Sequence, residues 1–253
     1  MTIRTATLEG VGTIEIARPE KKNALTLAMY EAMSHAIVAA GTDQTVRALL
    51  ITGQPGIFTA GNDLEDFLQR PPVGADSPVG RFMQALSGCE KPVIAAVTGP
   101  AIGIGATMLL HCDLVYLSDQ SRLLLPFVGL GLVPEFASSL LLPQRMGNAR
   151  AAEKLLLGEP ISPAEAVSCG IANAVMASTE VLAHAQRQAR RFNSLPAGAV
   201  RDSKRLIRSA TAAAVAAAMQ RESELFAARL RSPEALEAMQ AFMQKRSPDF
   251  SRF

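Results

Sequence analysis

From Pro92 to Cys112 the chain carries no charged side chain, yet the run cannot be one continuous helix. A membrane-spanning helix needs ~20 apolar residues, whereas Pro92, Gly99, Pro100, Gly103 and Gly105 interrupt this stretch. What fits is a buried strand at Val93–Val97, a glycine-containing turn, and an apolar helix over Thr107–His111. Short apolar runs rich in β-branched residues and bounded by turn residues read as strands covered on both faces. Val46–Ile51, ended by Thr52-Gly53-Gln54-Pro55-Gly56, and Leu114–Leu117 have the same character. A helix is expected after Thr26, because Met29, Ala32, Met33, Ala36, Ile37 and Ala40 recur on one face. Strands alternating with helices predict βαβ crossovers and a mostly parallel sheet, an α/β fold. Two alternating runs, 2–9 and 11–17, meet at Gly10 and predict an antiparallel hairpin in front of it.

The second half changes character. Ser162-Pro163-Ala164-Glu165 is a capping box that starts a helix. Beyond Asn193-Ser194-Leu195-Pro196 the pattern is helical only, through the Ala-rich run 209–218 to a last helix opened by Ser232-Pro233-Glu234. On that last helix Leu236, Met239 and Met243 share a face that needs a partner, either the core or another subunit. The division is therefore an α/β core over 1–194 and a helical segment over 195–253.

Composition narrows the class of function. The 253 residues are 49% hydrophobic, enough to bury a core without disulfide or metal. A net charge of +2 with scattered Lys and Arg argues against a nucleic-acid partner, and Arg187–Arg191 reads as a solvated helix face. Cys89, Cys112 and Cys169 are too few and too far apart for a disulfide framework or a zinc site, so they are expected as free core residues in a reducing compartment. The opening run Ile3–Leu8 reads as a strand with no signal or transit pattern, and Ser251-Arg252-Phe253 does not read as a peroxisomal address, so no targeting segment is expected. A cytoplasmic protein with no membrane partner is expected.

Two glycine-containing turns follow buried strands: Phe58-Thr59-Ala60-Gly61-Asn62-Asp63-Leu64, and Thr98-Gly99-Pro100-Ala101-Ile102-Gly103-Ile104-Gly105-Ala106. Glycine permits close approach of a ligand to main-chain N–H groups, and two facing turns can hold one developing oxyanion. Tight turns also need glycine for purely structural reasons, so the turns alone leave both readings open. A dinucleotide or phosphate loop is the rival. Gly103-Ile104-Gly105 and Gly129-Leu130-Gly131 both miss the third glycine, with Met108 and Pro134 in its place, and no G-x-x-x-x-G-K-[ST] loop occurs. A serine nucleophile of the G-x-S-x-G type is also missing.

These turns, with Ala17-Arg18-Pro19-Glu20-Lys21-Lys22-Asn23-Ala24-Leu25 before them and Ala241-Phe242-Met243-Gln244-Lys245-Arg246-Ser247-Pro248-Asp249-Phe250 at the end, resemble the successive signatures of the enoyl-CoA hydratase/isomerase (crotonase) family. The resemblance runs in order along essentially the whole chain. It implies a repeated ββα core and a C-terminal helical segment that forms trimers, often paired as dimers of trimers. It implies an acyl-CoA thioester as substrate, with coenzyme A part of the substrate and no separate cofactor or metal. The oxyanion hole would be the main-chain N–H groups of Asn62 and Ile104, next to Gly103. The CoA moiety would lie against Lys22, Ala24 and Leu25, with Ala60 and Leu64 beside the pantetheine and thioester. Phe242 and Lys245 would reach the CoA from the C-terminal helix, across a subunit boundary or within one chain. Lys22 could equally be a solvent-facing lysine. Asp63 either borders the substrate or, more simply, caps the next helix and orders the loop; Glu65 and Asp66 are expected in solvent. Residues 67–84, Pro/Gly-rich, would shape the acyl pocket.

The acid–base residue decides the reaction. Hydratases of the family use two glutamates, and the corresponding positions here hold Thr107 and Phe127. Neither can position and deprotonate water near neutral pH. The stretch Pro126-Phe127-Val128-Gly129-Leu130-Gly131-Leu132-Val133-Pro134-Glu135-Phe136-Ala137-Ser138-Ser139 instead resembles the delta-3,delta-2-enoyl-CoA isomerases, in which that glutamate is the single base. Phe127, Leu130 and Phe136 would make its pocket apolar and raise its proton affinity. The competing reading of Glu135 is a carboxylate in the first turn of a helix over Phe136–Arg145. Other family chemistries, among them hydration, hydrolysis and decarboxylation, and a non-catalytic acyl-CoA-binding role remain as alternatives. His35, His111 and His184 carry little weight.

Overall fold

A tight hairpin opens the chain: β1 (Ile3–Leu8) and β2 (Val11–Ile16) pair antiparallel, from Ile3 opposite Ile16 to Leu8 opposite Val11. Glu9 and Gly10, the two turn residues, both have positive φ (48° and 72°), as a two-residue hairpin turn requires. The computed structural model describes residues 2–70 and 74–253. After the hairpin come α1 (Leu27–Thr42), β3 (Ala48–Thr52), α2 (Leu64–Gln69), α3 (Pro78–Ser87), β4 (Val93–Val97), β5 (Pro100–Ile102) and α4 (Ile104–Thr107). The chain continues through β6 (Leu114–Ser118), β7 (Arg122–Leu124), α5 (Ser138–Met146), α6 (Asn148–Leu156), α7 (Pro163–Ser168), β8 (Ala174–Met176) and α8 (Ser178–Arg190). It ends with α9 (Ala197–Ser209), α10 (Ala212–Arg229) and α11 (Pro233–Met243).

Six strands form one sheet in the order β1-β2-β3-β4-β6-β8, parallel everywhere except at the hairpin. β3 and β4 are buried at every position, which is why they read as unbroken apolar runs. One face of the sheet is covered by Val181, Ala185 and Ala189 of α8, packed on Leu50, Ile94, Ala96 and Tyr116. The opposite face carries the larger core, where Met29, Tyr30, Met33 and Ile37 of α1 meet Phe82 and Leu86 of α3 over Ile51 and Val97. A short parallel pair, β5 with β7, stands apart from the main sheet and carries the second glycine turn. All three cysteines are free and buried. Among the described residues no helix is long and apolar enough to cross a membrane.

Several sequence expectations shift in detail. Thr26 caps α1 as expected, accepting from the Met29 N–H (3.3 Å), but Ala32 faces solvent while Tyr30 and Ser34 turn inward. The apolar helix expected at Thr107–His111 begins at Ile104 and tightens to a 3-10 turn over Met108–His111. Within the Pro/Gly-rich stretch 67–84, residues 78–84 are helical, because Ser77 caps α3 with Pro78 in its first turn; Pro71, Pro72 and Val73 lie outside the described residues. On α11 the small residues Ala235, Ala238 and Ala241 face inward with Met239, leaving Leu236 and Met243 exposed.

The helical segment after residue 195 is anchored to the core by buried polar contacts. Lys204 of α9 donates to Asp113 Oδ2 and to the Lys91 carbonyl, both at 2.6 Å, and Arg208 donates to Asp113 Oδ1 at 2.9 Å. α10 lies against α5, and α11 rests on the turn at 128–130, where a Cβ on Gly131 would come within 2.7 Å of the Ala235 nitrogen. Arg229 closes this contact by donating to the Gly131 carbonyl (3.1 Å).

Candidate active site

The two glycine turns touch each other. Thr59 bridges Ala101 in parallel, the Ile102 N–H donates to the Thr59 carbonyl (3.0 Å), and the Phe58 and Thr59 N–H groups both turn to the Pro100 carbonyl. Gly61 has φ +87°, and a Cβ there would stand 2.9 Å from the Ile102 carbonyl oxygen, so only glycine allows the first turn so close to the second. Gly103 (φ 56°, ψ −119°) then reverses the chain into α4. A third strip joins them: Ala60 N–H donates to the Lys22 carbonyl (3.0 Å), and Leu25 bridges Asn62 through Leu25 N–H to Gly61 O (2.8 Å) and Asp63 N–H to Leu25 O (2.9 Å). That bridge engages the residues on either side of Asn62 and leaves its own N–H aside. Ile104 is the first residue of α4, where N–H groups have no intrahelical acceptor. Among the described residues neither the Asn62 nor the Ile104 N–H donates to any protein acceptor.

Side chains brace this frame. Asn23 is buried with φ +57°; its Nδ2 donates to the Phe58 carbonyl (3.1 Å) and its Oδ1 accepts from the Arg18 N–H (2.7 Å). Arg18 also donates to the Ala24 carbonyl (2.9 Å) and to Asp63 Oδ2 (2.6 Å). Asp63 Oδ1 caps α2 through the Asp66 N–H (3.1 Å). The Asp63 carboxylate is thus engaged within the loop: its pKa stays below the ordinary value because the Arg18 and Asp66 bonds outweigh the burial that opposes them. Asp66 is not in solvent as expected; its Oδ2 accepts from the Leu27 N–H (2.6 Å) at the start of α1. Glu65 is exposed.

Glu135 is 6% exposed, and its Oε1 has no hydrogen-bond partner. Burial, and after it the charge of Glu222, pushes the carboxyl up to about 8. Tyr30 connects it to the first turn. The fully buried phenol donates to Asn62 Oδ1 and is itself held well above its ordinary pKa, first by burial and then by the Glu135 charge. Rings complete the wall: Tyr30 on Phe82 (centroids 5.4 Å apart), Phe82 on Phe136 (6.3 Å), and Phe136 stacked on His111 (3.8 Å).

The helix expected at Phe136–Arg145 starts later, at Ser138, because Phe136 and Ala137 both adopt left-handed backbone (φ 57° and 56°). Glu135 therefore does not sit in a first helical turn. Two consecutive non-glycine residues in this region cost energy that the surroundings must offset. The Ser138 N–H and hydroxyl donate to the Glu135 carbonyl (3.1 and 2.6 Å), and His111 Nε2–H donates to the Phe136 carbonyl (2.8 Å). The Ala137 and Ser139 N–H groups donate to the two carboxylate oxygens of Glu222 on α10 (2.6 and 2.9 Å).

Comparison with known proteins fits this construction. The model of the family described as Enoyl-CoA hydratase/isomerase matches residues 6–252. The chain belongs to this family. Its likeness to the solved structure of Pseudomonas aeruginosa OdaA is close, with a TM-score of 0.94 and 51% identity over 96% of this chain and 98% of that one. The human protein named Enoyl-CoA delta isomerase 2 is 32% identical over 97% of this chain, which spans only 64% of that relative's length. The 2,3-dehydroadipyl-CoA hydratase of Escherichia coli strain K12 is 30% identical, over 94% of this chain and 93% of the relative. Isomerases and hydratases thus both stand among the relatives.

Within this enoyl-CoA hydratase/isomerase fold, the residues singled out from sequence, Glu135 aside, fall into three groups. Lys22, Ala24, Leu25, Ala60, Asp63, Leu64, Gly103 and Ile104 gather around Asn62, with Lys22 exposed in left-handed backbone (φ 51°). Phe127 and Leu130 belong to the turn under α11, Phe127 buried and Leu130 partly so. Phe242, 65% exposed, and Lys245 lie at the outer end of α11 and beyond it. At the two positions that the resemblance matches to hydratase glutamates, Thr107 is fully buried with its hydroxyl on the Ile104 carbonyl (3.4 Å), and Phe127 is buried among apolar side chains. A cavity of about 1090 Å³ lies between α3 and the α9–α10 region; His111 borders it, while Asn62, Ile104 and Glu135 do not. Sequence reasoning missed Tyr30 and Glu222 and set His111 aside. Each is an ordinary helical residue by pattern, and only the tertiary fold brings it to Glu135.

Proposed function

We propose that the protein moves the double bond of a 3-enoyl-CoA thioester into conjugation, giving the 2-enoyl thioester, with Glu135 as the single acid–base group. The observation that carries this reading is a buried carboxyl with Oε1 unpartnered and its pKa raised to about 8, while positions 107 and 127 hold no acid. A group in that range can both accept and return a proton near neutral pH.

The ionised Glu135 takes a proton from C2, breaking the C2–H bond. The electron pair passes into the thioester carbonyl, and the enolate oxygen rests on the free N–H groups of Asn62 and Ile104. Donors already aimed at the developing charge are worth ~10²–10³ in rate each. The dienolate then takes the same proton at C4, the double bond settles between C2 and C3, and Glu135 is again ionised. No water is consumed, which suits the ring-walled, water-poor surroundings made by Tyr30, Phe82 and Phe136. The CoA portion lies along the exposed edge at Lys22 and Ala24 and past Ala60 and Leu64, and Phe242 and Lys245 close over it from their own or a neighbouring copy. Exposed Leu206 and Ile207 on α9 and Leu225 on α10 leave apolar side chains for contact between copies, in the trimer that the family resemblance implies. The test is turnover of a 3-enoyl-CoA by Glu135→Gln beside wild type: a loss of at least ~10³-fold in kcat is expected, and retained activity would remove Glu135 from the chemistry.

A further inference from the structure

We propose that Glu222 of α10 is the positioning residue of the acid–base group, pinning the loop that carries Glu135 and placing a second carboxylate beside it. The inference rests on the isomerase reading of Glu135 given above.

Glu222 is buried, although it lies on a helix whose neighbouring residues 223–225 face solvent. Its two carboxylate oxygens are divided between the N–H groups of Ala137 and Ser139, one on either side of Ser138. A bidentate carboxylate on two main-chain donors is a charge-assisted pair and about twice as strong as a neutral one. It offsets the left-handed backbone at Phe136 and Ala137, and that backbone is what turns Glu135 inward instead of leaving it at a helix end. An uncharged side chain could satisfy the same helix end. A buried carboxylate there does something more, because its charge faces Glu135.

The groups around the pair decide which of the two holds the charge. Glu135 faces Glu222 from α10 and the Tyr30 phenol from α1, and its Oε1 has no donor. His111 bonds the intervening Phe136 carbonyl and is kept neutral, its pKa lowered to about 4 by burial. Glu222 has the Ala137 and Ser139 donors, which favour its ionised form, and Arg221 as the nearby cation on its own helix; burial opposes them and raises it. Hydrogen bonds therefore favour the ionised form of Glu222, and burial, reinforced by repulsion from that carboxylate, keeps the proton on Glu135 until pH is high. Because Glu222 comes from the helical segment after residue 195, displacement of α10 would disturb both the aim and the proton affinity of the base.

The experiment compares Glu222→Gln and Glu222→Asp with wild type in the pH dependence of kcat/KM for a 3-enoyl-CoA, with Tm measured on each. Glu135 itself is titrated in each background by the infrared difference between the protein with Glu135 and its Glu135→Gln counterpart. Removing the charge in Glu222→Gln should move the acid limb and the infrared midpoint of Glu135 down by roughly a pH unit. Glu222→Asp keeps a charge but draws it off the two N–H groups, so its limb should stay near that of wild type while plateau kcat falls ~10-fold or more with KM little changed. If Glu222→Gln folds and both its profile and its infrared midpoint overlay those of wild type, the inference fails. If Glu222→Gln does not fold, an Asp variant with unchanged plateau kcat overturns it. Should Glu135→Gln alone retain isomerisation, the reading of the site fails instead, and the infrared midpoints still report whether Glu222 acts on Glu135.

Discussion

Replacing Glu135 by glutamine should make the protein more stable relative to wild type as pH rises, an effect opposite to that expected for a paired carboxylate. In the folded protein the carboxyl titrates at about 8, against an ordinary value of 4.5. Below 4.5 both folded and unfolded chains hold the proton, and nothing is gained or lost. Between 4.5 and 8 the unfolded chain releases the proton while the folded one keeps it, so stability falls with rising pH at about 1.4 kcal/mol per unit. Above 8 the loss levels off at about 5 kcal/mol, and at pH 7 it stands near 3 kcal/mol. Glutamine removes this dependence but places an amide where Oε1 has no partner, a penalty of about 1–3 kcal/mol that does not vary with pH. The signal is therefore the slope of the difference between the two proteins. Urea midpoints at pH 5, 6, 7 and 8, at one fixed protein concentration, measure it. Titrating groups remote from Glu135 cancel in the subtraction, and Glu222, which is coupled to it, adds a smaller change of its own. Stability curves for wild type and variant that run parallel across this range would show that Glu135 has an ordinary pKa and is not desolvated.

Three substitutions test the frame that holds the oxyanion donors. Gly61→Ala forces a Cβ against the Ile102 carbonyl at positive φ, and should lower kcat ~10²-fold or more while CoA-ester binding, read by calorimetry, changes little. Tyr30→Phe leaves Asn62 Oδ1 without its donor; a stability loss of about 1 kcal/mol by urea melting and a fall in kcat larger than any rise in KM are expected. Arg18→Ala strips the partner from the nearly buried Asp63 carboxylate and should cost about 3 kcal/mol in a denaturation curve, with KM raised by the loosened loop.

The parallel strands could be read from sequence because burial on both faces leaves an unbroken apolar run, as in Val93–Val97, and the structure places that strand in the middle of the sheet. The two glycine turns were legible as turns, since Gly61 and Gly103 hold conformations that strongly favour glycine, but their pairing was expected only from the family resemblance. What local pattern could not show is where pieces from distant helices meet. Glu222 is one charged residue among several on an exposed-looking helix, and its partners lie more than eighty residues earlier. The helix start after Glu135 was misplaced because Phe136 and Ala137 have no intrinsic preference for left-handed backbone; contacts from His111 and Glu222 impose it. The face of α11 was misassigned for a related reason, since close packing against Gly131 selects alanines over the larger Leu236 and Met243.

Membership of a family that contains both isomerases and hydratases leaves the fate of water as the deciding question. Purified wild-type protein should be given a 3-enoyl-CoA and, separately, a 2-enoyl-CoA in water enriched in ¹⁸O, with products resolved by mass. With Glu135 as the single acid–base group, the 3-enoyl ester becomes the 2-enoyl ester without incorporation of ¹⁸O, and the 2-enoyl ester is not hydrated. Rapid formation of an ¹⁸O-labelled 3-hydroxyacyl-CoA from either substrate would contradict the one-carboxylate mechanism.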